Sequence, residues 1–276
     1  MTGFVDVGGG MRGIYTSGIY DGLLDSGIMA EYCIGVSAGS ANLITYVAGQ
    51  RGRTYKFYAE YASERSYMSF HNLRKIGSYI DLNYVYSGIS NSTGKNPLDF
   101  KAASENSCRF KAVATDALTG KAHYFDKEDM KDDDYSVLKA SCAIPMVCRP
   151  VEIGGAKYFD GGVADPIPFE RAFDDGCDRV VVFLTKPINE LKKRPPEIVN
   201  RLMRAYPESA KAVMTMHERY NSGIGELEKL SEQGKALIVA PDDRCGVGTL
   251  TRNRTSLDSL YQKGYTDAQK VIEFMK

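Results

Sequence analysis

Ser37 stands in Gly35-Val36-Ser37-Ala38-Gly39, a G-x-S-x-G run between a stretch that reads as a strand and one that reads as a helix. Nucleophilic attack on a carbonyl carbon needs a hydroxyl lifted clear of the backbone. A sharp strand-to-helix turn with small neighbours supplies that exposure. The same position would also serve as an ordinary helix N-cap. Earlier in the chain, Gly8-Gly9-Gly10-Met11-Arg12-Gly13 satisfies G-x-G-x-x-G after one strand and before one helix. A dinucleotide site of that form requires a carboxylate at the end of the second strand. Here that strand ends Ile34-Gly35-Val36-Ser37 without one, and no Gly-Lys-Ser/Thr follows as a phosphate loop would need. Two readings are left: backbone amides at a helix start, facing a developing oxyanion, or a tight turn that binds nothing.

The serine needs a base. His71 and His123 precede any plausible acid, and His217 falls on what reads as one face of a helix, so a Ser-His-Asp triad is not expected. A carboxylate must be considered instead. Asp160, in Tyr158-Phe159-Asp160-Gly161-Gly162, ends a strand, and the following glycines allow another segment to approach closely. Asp-Gly is also a common turn dipeptide. The rivals Asp116 and Asp165 have local explanations, since Asp116 begins a turn and Asp165 precedes Pro166.

The elements that must hold these residues follow an α/β grammar. Thr2 to Val7 reads as a strand, Met11 to Ser26 as a helix, Tyr32 to Val36 as a strand and Ala38 to Ala48 as a helix. Arg51 to Gly94 reads as mostly helical with irregular breaks. Strands are expected at Phe110 to Thr115, Ala122 to Phe125, Val151 to Ile153, Lys157 to Phe159, Arg179 to Thr185 and Ala236 to Ala240. A short helix is expected from Ser136 to Ala143, further helices up to about Gln233, and a closing amphipathic helix from Ser256 to Met275. With no repeat and no clear linker, residues 1–276 are read as one domain. Its motif-bearing part runs from about 4 to 184 and its C-terminal part from about 187 to 276.

Three motifs in this order resemble the patatin-like phospholipases, which combine G-G-G-x-R/K-G, G-x-S-x-G and D-G-G/A. Ala140-Ser141-Cys142-Ala143-Ile144-Pro145 and Asp165-Pro166-Ile167-Pro168 also look like the family's segments flanking the aspartate. The resemblance covers Phe4 to about Leu184 and implies a three-layer fold with a mostly parallel central sheet flanked by helices. It further implies Ser37 as nucleophile with Asp160 as its partner. The amides of Gly8, Gly9 and Gly10 would then form the oxyanion hole, with Arg12 and Gly13 supporting the loop. Gly35 and Gly39 would shape the elbow, and Gly161 and Gly162 the acid motif. One departure is Val7, where many members carry Asp or Glu; here the acid is Asp6, one residue earlier, and loop support rather than chemistry is expected to feel it. The implied reaction is hydrolysis of an acyl ester or phospholipid with release of a fatty acid. A short-chain carboxylesterase or thioesterase, and a lipid-binding protein without catalysis, are the alternatives.

The bulk composition fits a globular protein. The 276 residues carry 35 basic and 35 acidic side chains, which leaves no electrostatic footprint for nucleic acid. No apolar run approaches the roughly 20 residues that span a bilayer, and no signal peptide is visible, so a cytoplasmic protein with at most transient membrane-surface contact is expected. Six scattered cysteines without a C-x-x-C pair, and three histidines, give a metal site little to build on, and no cofactor is expected. Tyr67 to Ile89 is rich in aromatic and aliphatic residues and reads as a packed layer or a cover for an acyl pocket. The run Lys192-Lys193-Arg194 reads as a solvated charge cluster rather than a phosphate contact.

Overall fold

The computed structural model describes residues 1–276, and its centre is an eight-stranded sheet. Strand β1 (Thr2–Asp6) leads through a 3-10 turn at Gly10–Gly13 into helix α1 (Ile14–Asp25). Next come β2 (Tyr32–Val36), α2 (Ala38–Val47), α3 (Arg53–Ala59), α4 (Phe70–Ile76) and α5 (Phe100–Glu105). The middle of the chain gives β3 (Arg109–Asp116), β4 (Ala122–Asp126), α6 (Ser136–Ser141), β5 (Val151–Ile153) and β6 (Ala156–Asp160). After α7 (Phe169–Asp174) and β7 (Arg179–Phe183) the chain ends in α8 (Ile198–Leu202), α9 (Pro207–Glu232), β8 (Ala236–Val239) and α10 (Arg254–Met275).

Five strands run parallel in the order β3-β2-β1-β7-β8; β4 pairs antiparallel with the outer side of β3, β6 pairs antiparallel with the end of β3 on the side β2 occupies, just past the end of β2, and β5 extends β6. Residues of the central strands alternate between two cores, as a period of two dictates. Phe4, Val181 and Phe183 join the side chains of α1, α2 and α10. Val5, Val180 and Val182 join those of α7 and α9 on the other face. Both sheet faces are therefore covered by helices, which is why β1 and β2 are buried throughout and read as apolar runs.

Residues 51–94 hold less helix than the sequence suggests. Only α3, a 3-10 turn at Tyr61–Ser63, α4 and a single π-helical turn at Tyr84–Ile89 are wound, joined by turns. Helix α10 returns to lie across α1 at very short range. A Cβ on Gly264 would sit 1.9 Å from the Tyr15 carbonyl oxygen, and one on Gly18 would sit 2.1 Å from that of Tyr261. The C-terminal part is thus keyed to the helix that the glycine loop launches, and β8 adds its edge to the same sheet beside β7.

Candidate active site

The sheet delivers its chemistry-bearing residues to the carboxyl ends of the parallel strands, the usual place for ligands in open α/β sheets. Between β2 and α2, Ser37 takes φ 57° and ψ −130°, a conformation that costs a residue with a side chain on the order of 1–3 kcal/mol. Neighbouring bonds hold it there. The Ser37 N–H donates to Ser141 Oγ at 3.0 Å, while the amide and hydroxyl of Ser40 donate to the Ser37 carbonyl at 3.0 and 2.7 Å. Gly39 is needed for close approach, because a Cβ there would lie 2.6 Å from a carboxylate oxygen of Asp6; one on Gly35 would lie 2.5 Å from the Ser40 amide. The Ser37 side chain caps no helical N–H, so the alternative role as an N-cap does not apply. Its hydroxyl instead faces the carboxylate of Asp160 and the thiol of Cys142, close enough to favour the ionised form of both.

Asp160 arrives on the same side of β3 as β2, just past the end of that strand. It ends β6 opposite Ala114, and the Thr115 hydroxyl donates to its carbonyl at 2.8 Å. The carboxylate is 7% exposed and accepts the Gly162 N–H at 2.8 Å. Burial raises its pKa to about 6, while the Ser37 hydroxyl, the bond from Gly162 and the charge of Lys192 pull the other way. Gly161 is pressed against the Val113 carbonyl, where a Cβ would come within 2.2 Å. The rival acids are engaged elsewhere: Asp116 accepts the amides of Leu118 and Thr119 in its turn, and Asp165 accepts the Tyr124 hydroxyl at 2.8 Å. His71, His123 and His217 do not line the cavity at Ser37.

The glycine loop lies beside the elbow. Gly8, Gly9 and Gly10 have φ of +62°, +136° and +60°, a sequence of turns that side chains beyond hydrogen would oppose. Asp6, fully buried, accepts the Gly8 N–H at 2.9 Å and the Tyr20 hydroxyl at 2.9 Å. The Gly8 N–H thus has this carboxylate as its acceptor within the loop. Gly9 and Gly10 keep N–H groups with no acceptor in the protein, and Gly10 shares a cavity wall with Ser37. The loop is then closed from outside by Thr249. Its carbonyl accepts the Met11 N–H at 3.0 Å, and its hydroxyl accepts from the Arg12 guanidinium at 2.9 Å. Gly13 fits under the Tyr58 hydroxyl, and its carbonyl accepts from Asn42 at 2.8 Å.

Ser37 faces a cavity of about 80 Å³ in which 16 of 23 lining residues are hydrophobic. Tyr67, Met68, Ile80, Leu82, Val85 and Tyr86 contribute to its wall, so the aromatic stretch after residue 66 packs and lines at once. The charge run divides. Lys193 and Arg194 are exposed, but Lys192 turns inward, its Nζ 4.5 Å from the Tyr220 ring centre, with Lys186 Nζ 4.6 Å from the same ring. Burial and the neighbouring cations push both lysines down to about 8. Sequence reasoning missed Lys186, Lys192, Thr249 and Tyr220 as neighbours of the site. Ser141 was within reach, since its segment already stood out. No group of three His, Cys, Asp or Glu side chains is placed to hold a metal ion, and no helix is long and apolar enough to cross a membrane.

Comparison with known proteins gives matching results. Residues 7–173 match the family model described as patatin-like phospholipase, and residues 206–276 match a second model described only as a domain of unknown function, DUF6363. The Escherichia coli K12 protein YjjU, itself uncharacterized, is 29% identical over 185 residues, which is 65% of this chain and 50% of YjjU. An uncharacterized NTE family protein of Mycobacterium tuberculosis H37Rv is 41% identical over 59 residues, 21% of this chain and 15% of the relative. The chain thus spans about half or less of the length of these relatives. Among solved structures, VipD from Legionella pneumophila aligns with a TM-score of 0.46 at 13% identity, covering 99% of this chain and 66% of VipD.

Proposed function

The chain belongs to the patatin-like phospholipase family, and on that premise we propose that it hydrolyses lipid acyl esters with Ser37 as nucleophile and Asp160 as general base. The observation that carries this reading is the Ser37 hydroxyl, held on a strained elbow, beside a buried carboxylate and at the wall of an apolar cavity.

In the proposed reaction the acyl chain enters the cavity and its ester carbonyl comes to rest over Ser37. Asp160, ionised above a pKa of about 6, takes the hydroxyl proton as Ser37 Oγ bonds to the carbonyl carbon. The free amides of Gly9 and Gly10 face the oxygen that becomes negative, each worth about 3 to 4 kcal/mol in a site of this kind. Collapse expels the alcohol, which receives the proton from Asp160. Water then attacks the acyl-serine, Asp160 takes the water proton, and the fatty acid leaves as Ser37 regains its own. An unassisted aspartate near ~3.9 is a weak base, so the upward shift of Asp160 matters to the rate. Lys192, whose charge also acts on that carboxylate, favours its ionised form.

The test is covalent. A fluorophosphonate probe is expected to label Ser37, and labelling is expected to vanish in Ser37→Ala. Persistent labelling of that variant would remove Ser37 from the mechanism. A panel of p-nitrophenyl esters separates the substrate classes, with long acyl chains expected to be preferred because the cavity is mainly apolar.

A further inference from the structure

Large apolar side chains are exposed at several points of the surface, and four of them gather at one place: Phe70, Leu73, Met146 and Leu250. Phe70 is 74% and Met146 50% exposed, and both stand on segments tied to the cavity wall. Phe70 follows directly on the Met68–Ser69 segment. Met68 lines the cavity and bridges to Ile80, and the Phe70 ring meets Tyr79 at 5.4 Å. The Tyr79 N–H donates to the Val147 carbonyl at 2.7 Å, which fixes the turn that carries Met146 beside this edge. Met146 itself is held at φ 68°, and two residues before it Ile144 lines the cavity. Leu250 is 40% exposed and lines the same cavity. These tips therefore form a rim around the opening that leads to Ser37.

The rim is also basic. Arg74 and Lys75 end α4, the Arg149 guanidinium covers Gly77, and Arg252 donates to the Met68 carbonyl. None of the four cations has a carboxylate partner. In a chain whose 35 acidic and 35 basic groups cancel, such a concentration of unpaired positive charge beside exposed apolar tips is a local feature. A contiguous apolar patch of this kind marks an interaction surface. Its combination with cations matches the interface of a bilayer, where apolar side chains enter the acyl boundary and lysine or arginine meets lipid phosphate.

We propose that this rim docks the protein onto an anionic lipid surface, with Phe70, Leu73, Met146 and Leu250 entering the interface and Arg74, Lys75, Arg149 and Arg252 contacting the phosphates. The cavity mouth then opens onto the lipid, so an acyl chain passes to Ser37 without crossing water. The idea takes its purpose from the acyl-hydrolase reading, but docking itself needs no turnover.

The experiment is co-sedimentation of the full chain with vesicles of phosphatidylcholine alone and of phosphatidylcholine mixed with phosphatidylglycerol. In parallel, each variant is assayed on a soluble short-chain ester below its aggregation limit. Binding is expected to favour the anionic vesicles and to weaken with salt. Arg74→Gln with Lys75→Gln is expected to lower the partition coefficient by about fivefold per cation. Phe70→Asp with Leu73→Asp should abolish sedimentation, whereas Met29→Asp, at the opposite ends of the parallel strands, should bind as the parent does. All these variants should hydrolyse the soluble ester at the parental rate. Equal binding to both vesicle types, no binding to either, or rim variants that bind like the parent would each overturn the docking proposal. A parent that docks through the rim yet leaves the soluble ester intact would sink the hydrolase reading and leave docking standing.

Discussion

The ends of β1 and β6 each bury an aspartate, and the pKa of both Asp6 and Asp160 is raised by burial to about 6. Their surroundings separate them. Asp160 accepts one backbone amide and faces the Ser37 hydroxyl. Asp6 spends its oxygens on the Gly8 N–H and the Tyr20 hydroxyl and touches Gly39, so it links the glycine loop to the elbow without facing the cavity. Equal proton affinity therefore does not mean equal role. What decides is what stands against the carboxylate: a reactive hydroxyl at one strand end, the framework of the site at the other.

The largest effect is expected at the end of β6. Asp160→Asn keeps the shape and the Gly162 contact but cannot take a proton, so kcat should fall by roughly 10²-fold or more. The same change should stabilise the fold. A carboxyl raised from 3.8 to about 6 is a group whose ionised form is disfavoured by folding. Its contribution is full below the unfolded value and is lost as pH rises through about 6. Removing the charge should therefore raise unfolding free energy at pH 7 to 8 by up to about 2 to 3 kcal/mol, and by nothing near pH 3. Urea titrations at both pH values check the sign. A stable variant with parental kcat would erase the distinction between the two strand ends.

At the end of β1 a steric change should do less to chemistry and move stability in the opposite direction. Gly39→Ala places a methyl carbon 2.5 Å from the Asp6 carbonyl oxygen and 2.6 Å from its carboxylate, atoms that are buried and cannot retreat into solvent. A loss of about 1 to 3 kcal/mol is expected from overpacking, read as a lower urea midpoint with unchanged m. Turnover of the folded fraction should drop roughly tenfold, through displacement of the elbow by less than an ångström.

How much of this was legible in the sequence follows from the distance over which each feature is specified. The strand runs, the glycine loop, the elbow and the Asp-Gly-Gly turn are local in sequence, and each of them stands where periodicity and turn chemistry put it. Residues 51–94 read as more helical than they are, because Met68, Leu82 and Val85 are spaced for a cavity wall rather than for a continuous helix face. Thr249 reaches Arg12 across 237 residues, and only the packing of α10 on α1 through Gly18 and Gly264 brings it there. Lys192 looked like part of a solvated run, since nothing in its own neighbourhood announces Tyr220 or the Asn221 side chain that clamps its backbone at 2.8 and 2.9 Å.

The smallest effect on turnover, and the sharpest on its pH dependence, is expected from Asp6→Asn. The carboxamide oxygen can accept the Gly8 N–H in place of the carboxylate, and the Tyr20 hydroxyl can turn to accept from the new NH₂, so the loop keeps its shape. At pH 8 kcat should stay within about threefold of the parent, because no proton moves through this group in the reaction. Below about 6 the parent protonates two carboxyls, one that must be ionised to act as base and one whose charge strengthens its hold on the Gly8 amide. The parental log kcat/KM should therefore fall with a slope steeper than one as pH drops, and the variant should fall with a slope of one set by Asp160 alone. The raised value of Asp6 carries the same sign for stability as that of Asp160, so the variant should also gain stability at pH 7 to 8 and none near pH 3. A pH profile identical to the parent's would mean that the Asp6 charge does not reach the loop. A loss of kcat as deep as that of Asp160→Asn would place both carboxylates in the chemistry.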